Sequence, residues 1–350
     1  MRSGSCRYRG LKCVLLLLSW ALPIWSQNSA PLGLTTAHRL AEAQEDWSVL
    51  ALPAEGLQAS HPIVGEKDEE PTFTREIVRL QWRIGDPVDL YVIRPKPAVK
   101  SPVVLFLYSY PSETERFRDN AYCARVTNGG SAAVGFVSAL TGNRYKDRPM
   151  KEWFVSELPE ALGTSVHDVQ MILNYLATRD DLDLNKVAMF GEGSGGTIAI
   201  LSAAVDSRIK AIDLLDPWGD WPDWMAHSSL VPDEERPRYV TPDFLSKVAP
   251  VDPVLWLPRL KTQKIRIDHV FDDPVTPKAA KDRLEAAAPA SSQVVRYETT
   301  RQFFTQVHGG HMFDWVRDQV GASAKVSTGN QPGRATGTQL KGRPVESGND

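Results

Sequence analysis

The segment of this sequence that most directly predicts chemistry is residues 186–196, KVAMFGEGSGG, in which a short apolar stretch runs into a glycine-dense turn. A strand that enters a helix through such a turn holds one side chain over the end of the sheet. Glycines two residues before and after that side chain leave room for the neighbouring backbone. The side chain at the apex becomes a nucleophile when a histidine and a carboxylate are at hand.

The elements around this turn alternate between buried strands and helices. Residues 75–84 and 88–93 show alternating polarity around a Gly-Asp-Pro turn and predict a β-hairpin. Apolar runs, which are typical of strands covered on both faces, follow at 103–108 and 132–140. Segments at 187–190, 211–215, 265–271 and 294–297 continue the series. Helices are predicted from Ser165, as an N-cap with Asp168 three residues on, and over 195–205, 278–288 and 313–320.

This order predicts an α/β fold with a mostly parallel central sheet of about eight strands and helices on both faces. Residues 217–260 interrupt the alternation and contain Trp218, Trp221, Trp224 and Trp256. Because a long excursion without function is uncommon, we interpret it as a cap insertion. Its tryptophans could line a pocket or simply pack the cap onto the core.

The pattern resembles the α/β-hydrolase superfamily over about 72–320, in particular bacterial secreted esterases and acyl-peptidase-like members. In that family a strand ends in Gly-x-Ser-x-Gly-Gly. Here Gly191, Gly195 and Gly196 match the glycines, but Gly193 falls on the serine position and Ser194 follows it.

Two interpretations of the turn remain open. In one, Ser194 is the nucleophile of an elbow shifted by one residue, which would put the large Glu192 where a small residue is needed. In the other, which we favour, Gly193 occupies the nucleophile position and Ser194 contributes mainly a backbone N–H.

The resemblance also implies an acid and a base. Asp273, directly before Pro274, fits the family's acid best, with Asp272 as the alternate; an Asp-Pro pair is otherwise a common turn start. His311 in VHGGHMFDW fits the base, with His308 as the second candidate. The order of turn, acid and base along the chain agrees with this assignment.

An oxyanion hole would use the N–H of Ser194 and one from the loop at 109–112. Tyr110 in that loop could donate its hydroxyl instead, although ordinary packing is the simpler expectation. The elbow and oxyanion candidates are therefore Gly193, Ser194 and Tyr110.

Three functional hypotheses follow. A secreted hydrolase of ester or small acyl or peptidyl substrates would use Ser194 as nucleophile, His311 as proton shuttle and Asp273 as orienting acid. A pseudo-enzyme would keep the fold but lack the nucleophile, and would bind a ligand or dock a partner. A third variant would activate water through Glu192 or His311.

The termini carry targeting and low-complexity signals. Residues 1–27 have a basic start and a ten-residue apolar run, too short to span a bilayer, and predict a secretory signal peptide for secretion or export to a periplasm. We expect a leader over 28–72 with a short helix near 37–45, the hydrolase domain over 73–321 and a disordered tail over 322–350.

Composition and charge limit the classes of partner that this protein is expected to bind. The net charge of −3 and the lack of a basic block make nucleic acid an unexpected partner, and after signal cleavage no membrane contact is expected. Of the three cysteines only Cys123 lies beyond the signal, which excludes an internal disulfide and a multi-cysteine zinc site in the mature chain. We expect a small ester or acyl ligand, no metal and no organic cofactor.

Overall fold

The computed structural model describes residues 46–52, 59, 61–83, 85–97, 100–111, 114–140, 154–260 and 263–322. Within these residues the strands form one nine-stranded sheet in the order β1-β2-β3-β5-β4-β6-β7-β8-β9. The strands are β1 Ile63–Glu69, β2 Phe73–Arg83, β3 Asp86–Pro95, β4 Ser101–Leu107, β5 Ala132–Phe136, β6 Leu182–Glu192, β7 Ile209–Leu215, β8 Lys264–Val270 and β9 Gln293–Tyr297.

The sheet is antiparallel at one side and parallel at the other. Strand β2 pairs with β3 as the predicted hairpin, with Leu80 opposite Val88, and β3 pairs antiparallel with β5. From β5 through β4, β6, β7 and β8 to β9 every pairing is parallel. Because parallel strands share one orientation, their carboxyl ends lie at a single edge, where the glycine-dense turn and the acid loop both begin.

Helices cover both faces of the sheet, as the sequence predicts. One buried cluster includes Leu173 and Ile198, and a second on the other face includes Val126 and Val316. The described α-helices are α1 Asn120–Thr127, α2 Leu158–Leu176, α3 Ser194–Val205, α4 Trp221–His227, α5 Arg236–Tyr239, α6 Pro242–Val248, α7 Pro253–Trp256, α8 Lys278–Ala287, α9 Thr300–Val307 and α10 Asp314–Gln319.

The prediction that a helix starts at Ser165 is wrong. Helix α2 begins at Leu158, with Pro159 in its first turn, where the missing N–H of proline is tolerated. The Ser165 hydroxyl lies in the helix interior and donates to the Ala161 carbonyl at 2.7 Å. Asp168 accepts from Arg83 at 2.6 Å instead of completing a cap.

Strand β1 is an element that the sequence analysis missed. Its sequence, IVGEKDE, is mostly polar and its residues are largely exposed, as suits a strand at the edge of a sheet. Just before it along the chain, residues 46–52 lie against α2. Gln170 there donates to the Leu50 carbonyl at 2.8 Å and accepts from the Leu52 N–H at 3.0 Å.

The insertion between β7 and β8 consists of short helices, α4 to α7, joined by turns. Trp218, Trp221 and Trp224 are fully buried in it. The Trp224 ring lies 4.9 Å from that of Trp218, tilted by 33°, and 5.8 Å from that of Trp221 in an edge-to-face contact. These three side chains therefore pack the insertion onto the core, the second of the two roles that the sequence left open.

Asp213 in β7 is expected to make the free energy of unfolding depend on pH. Its carboxyl is fully buried; burial and the neighbouring Asp268 raise its pKa well above the ordinary value, against the opposing effect of Arg266. The folded chain therefore favours the protonated form of this carboxyl more than the unfolded chain does. The stability associated with this group is complete below the pKa of an unfolded aspartate, about 3.9, and declines as pH rises above it.

We expect Asp213→Asn, neutral at every pH, to remove this decline. The melting temperature of the variant minus that of the wild type should be larger at pH 8 than at pH 5, as measured by thermal unfolding. The exposed Asp180→Asn is the control and should show equal differences at both values. A uniform loss of melting temperature in Asp213→Asn would mean that the native carboxyl is ionised.

Candidate functional site

The chain bends sharply at Gly193, between the end of β6 and the start of α3. Its φ of 54° and ψ of −118° belong to a region that residues with side chains rarely adopt. Two backbone hydrogen bonds hold the bend: the Gly193 N–H donates to the Leu215 carbonyl at 2.9 Å, and the Gly193 carbonyl accepts from the Trp218 N–H at 3.3 Å. Gly193, and not Ser194, is thus the apex residue.

The flanking glycines are required by close backbone contacts. A Cβ on Gly191 would lie 2.5 Å from the Gly195 carbonyl oxygen, and one on Gly195 would lie 2.2 Å from the Leu107 carbonyl oxygen. Both distances are far below van der Waals contact with rigid backbone. The spacing of glycines around the apex therefore has the steric cause that the sequence suggested.

The space above Gly193, where a nucleophilic side chain would stand, is filled by other residues. A Cβ there would lie 2.3 Å from Ser109 Oγ, 2.8 Å from Ser109 Cβ and 2.9 Å from Trp218 Nε1. Ser109 comes from the loop after β4 and Trp218 from the insertion. Side chains from these two segments therefore occupy the volume that a side chain at Gly193 would need.

Ser194, the first residue of α3, is fully buried. Its Oγ accepts a hydrogen bond from the Tyr110 N–H at 2.9 Å. A backbone N–H of this loop is the donor that the sequence analysis assigned to an oxyanion. The hydroxyl oxygen of Ser194 now occupies that donor, so the loop offers a bound carbonyl one donor fewer.

The carboxylate of the predicted acid, Asp273, accepts hydrogen bonds from the turn that follows it. Its carboxylate oxygens lie 3.4 Å from the Val275 N–H donor and 3.3 Å from that of Thr276. Burial raises its pKa, and the neighbouring Asp216 adds to this while Lys281 opposes it. The alternate, Asp272, accepts from the N–H and hydroxyl of Thr300, both at 2.7 Å.

A buried charge cluster beside the acid loop was missed by the sequence analysis. Asp216, directly after β7, accepts from the Val270 N–H at 3.1 Å and lies 3.5 Å from Lys281 Nζ. Lys281 is 1% exposed and also donates to the carbonyls of Val270 at 2.5 Å and Asp273 at 3.1 Å. The helical spacing of Lys281 with the buried Leu284 is the signal that could have placed it inside.

The predicted base, His311, is largely exposed and has a different partner from the one predicted. Its Nδ1 lies 2.7 Å from Asp314 Oδ2. Arg317 also donates to Asp314; although burial acts the other way, these two hydrogen bonds keep the pKa of Asp314 below its ordinary value. Across the described residues no hydrogen bond joins His311 to Ser194 or Asp273.

An ion pair lies beside the apex on the strand side. The Glu192 carboxylate contacts Arg116 at 3.3 Å, and the Arg116 guanidinium lies 4.1 Å from the Tyr108 ring centroid. Burial raises the pKa of Glu192, with Arg116 opposing it. Burial likewise raises the pKa of Tyr108 to about 12, and its hydroxyl lies 2.5 Å from that of Tyr122.

The three predicted catalytic residues thus do not form a hydrogen-bonded relay in this structure. Ser194 is bound to the loop after β4, Asp273 caps its turn and His311 is held by Asp314. Covalent serine catalysis needs the hydroxyl within reach of the imidazole. In the described residues the Ser194 hydroxyl has no hydrogen bond to an imidazole.

Among the described residues, no group of three or more histidine, cysteine, aspartate or glutamate side chains is arranged to hold a metal ion. In the same part of the chain no helix has the length and apolarity needed to cross a membrane. The predicted signal peptide, the helix near 37–45 and residues 323–350 lie outside the described residues.

Comparison with known proteins finds likeness in structure alone. No protein-family model matches the sequence, and no curated protein does. Acetyl xylan esterase 1 from Thermoanaerobacterium superposes with a TM-score of 0.56 at 11% identity, over 76% of this chain and 92% of the esterase. An acetyl xylan esterase from Paenibacillus gives 0.54 at 15% identity, over 81% and 92%. An acylaminoacyl peptidase gives 0.53 at 12% identity, over 80% and 52%.

Proposed function

We propose, from the premise that the chain has the α/β-hydrolase fold, that it is a secreted pseudo-hydrolase whose site binds a ligand or docks a partner without covalent serine chemistry. Secretion rests on the predicted signal peptide. The ligand class expected from fold neighbours named as esterases is a small ester or acyl compound.

One observation carries the proposal: the nucleophile position holds Gly193, and the volume of its missing side chain is taken by Ser109 and Trp218. A serine lost by a single recent substitution would leave a space at the apex. Here two separate segments fill that space, which is the packing expected of a site that has adapted to glycine.

The state of Ser194 and His311 supports the same conclusion. A serine hydroxyl becomes nucleophilic when a base takes its proton, and the Ser194 hydroxyl has no hydrogen bond to an imidazole in the described part of the chain. Its oxygen instead accepts the Tyr110 N–H, which would otherwise stabilise a developing negative charge.

A second candidate function is hydrolysis with Ser194 as nucleophile. It is favoured by the names of the fold neighbours, which include esterases and an acylaminoacyl peptidase, and by the position of Ser194 one residue from the apex. It requires Ser194 to release Tyr110 and to meet His311, which now faces Asp314. The variant in which Glu192 or His311 activates water without a nucleophile shares the fold but predicts no covalent adduct.

A fluorophosphonate probe separates these candidates, because it labels only an activated serine. We expect the signal-cleaved protein to remain unlabelled and to hydrolyse p-nitrophenyl acetate at the same rate as Ser194→Ala. Circular dichroism of both proteins controls for folding. Labelling that disappears in Ser194→Ala would refute the pseudo-hydrolase proposal and establish the hydrolase. Ester hydrolysis without labelling, sensitive to Glu192→Gln or His311→Ala, would identify the water-activating variant.

A further inference from the structure

Two histidines share one face of a short 3₁₀ helix at His308–Phe313. A 3₁₀ helix has three residues per turn, so side chains three positions apart are eclipsed. His308 and His311 have this spacing, and their ring centroids lie 6.3 Å apart with planes at 74°. Both residues are exposed.

Each imidazole is held through the same ring nitrogen. His308 Nδ1 lies 2.7 Å from the Thr305 carbonyl oxygen, and His311 Nδ1 lies 2.7 Å from the Asp314 carboxylate. Since a carbonyl and a carboxylate only accept, each Nδ1 carries the proton. The lone pair of each ring is therefore on Nε2, and neither Nε2 forms a hydrogen bond within the described residues.

This is the arrangement found for histidines that bind transition metals. Such ligands donate the N–H of one ring nitrogen to a carboxylate or a backbone carbonyl, which fixes the tautomer and directs the other nitrogen at the metal. Imidazole nitrogen suits Zn²⁺, Cu²⁺ and Ni²⁺, whereas Mg²⁺ and Ca²⁺ prefer oxygen ligands.

We propose that His308 and His311 form a two-histidine site for a divalent transition-metal ion, bound by both Nε2 atoms with water completing the coordination. Because a Zn–N bond is about 2.0–2.1 Å long and the ring centroids are 6.3 Å apart, the two rings must turn so that both Nε2 atoms face one ion, and neither side chain is buried. The site goes beyond the proposed function and does not depend on it.

Metal binding and base catalysis would exclude each other at His311. A general base accepts a proton with the same Nε2 lone pair that would bind the metal, because Nδ1 is already committed to Asp314. A bound ion would therefore remove the imidazole that the resemblance assigned to catalysis.

Calorimetric titration of the signal-cleaved protein with Zn²⁺ and with Ni²⁺ at pH 7.5 tests the site. We expect one ion per chain, with binding weakened at least about tenfold in His308→Ala and in His311→Ala. Mg²⁺, which prefers oxygen ligands, should not bind. His227→Ala is the matched control, because His227 is also exposed and its Nδ1 contacts Asp223 at 2.9 Å.

Three results would overturn the proposal: no binding to the wild type, binding that survives both substitutions, or a loss that follows only one of the two histidines. Exposed positions make misfolding of the variants a minor concern, and circular dichroism checks it. Loss in His227→Ala alone would assign any binding to a different place on the surface.

Discussion

Gly193→Ser is expected to lower the melting temperature and to leave the protein inert toward p-nitrophenyl esters. The new Cβ would overlap Ser109 and the Trp218 indole, at distances below 3.0 Å, and the φ of 54° disfavours any side chain. Overpacking of this kind destabilises by about 1–3 kcal/mol, which corresponds to a fall of about 2–12 °C in a domain of this size. Inertness follows because His311 is held by Asp314 rather than directed at the apex.

Thermal unfolding and fluorophosphonate labelling measure the two parts of this prediction. Gly85→Ser is the matched control: Gly85 has a φ of 71°, but a Cβ there would have no atom within 4 Å. The difference between the melting temperatures of the two variants separates the effect of steric crowding from the effect of backbone strain. Adding Ser109→Gly to Gly193→Ser should recover part of the lost melting temperature. A stable Gly193→Ser protein that accepts the probe would show instead that only the nucleophile was missing.

The glycine at the apex could be predicted from the sequence because its cause is local. The apolar run VAMF, the glycines at 191, 195 and 196 and the helix that follows define the turn within eleven residues. The alternation of buried strands and helices likewise predicted the sheet. It did so most clearly for the central strands β4 and β5, which are buried on both faces and therefore have almost wholly apolar sequences.

What fills the apex could not be predicted, because it depends on contacts between distant segments. Ser109 precedes Gly193 by more than eighty residues, and Trp218 belongs to an insertion whose path has no periodic signal. The hydrogen-bond partner of His311 was missed even though it lies close in the sequence. Asp314 is only three residues away, and the family pattern directed attention to Asp273.

The same contrast explains why the start of α2 was placed wrongly and why strand β1 was missed. Ser165 with Asp168 three residues on has the composition of an N-cap, but the preceding residues 158–164 also favour a helix and extend it backward. Strand β1 has too few apolar residues to predict a strand, because an edge strand buries little of its surface. A local sequence pattern predicts an element correctly when only one element fits the pattern. Where more than one fits, contacts with distant residues determine which element forms.

Substitution of Lys281 should strongly destabilise the protein. Among the lysine and arginine side chains that the structure describes, Lys281 alone places its charged group within 4 Å of the Asp216 carboxylate. Its ammonium also donates to the carbonyls of Val270 and Asp273. Removing one member of a buried ion pair leaves the other charge uncompensated, at about 3–5 kcal/mol. We therefore expect Lys281→Met to lower the melting temperature by about 6–20 °C.

Lys278→Met provides the control within the same helix, because Lys278 forms an exposed ion pair with Asp282 at 2.7 Å. Such pairs contribute about 0–1 kcal/mol, so its melting temperature should change little. Adding Asp216→Asn to Lys281→Met should recover stability, since it removes the uncompensated charge. A Lys281→Met protein as stable as the wild type would contradict this account of the ion pair. The Lys281 ammonium would then not be the group that joins the acid loop after β8 to the segment after β7, which includes Trp218.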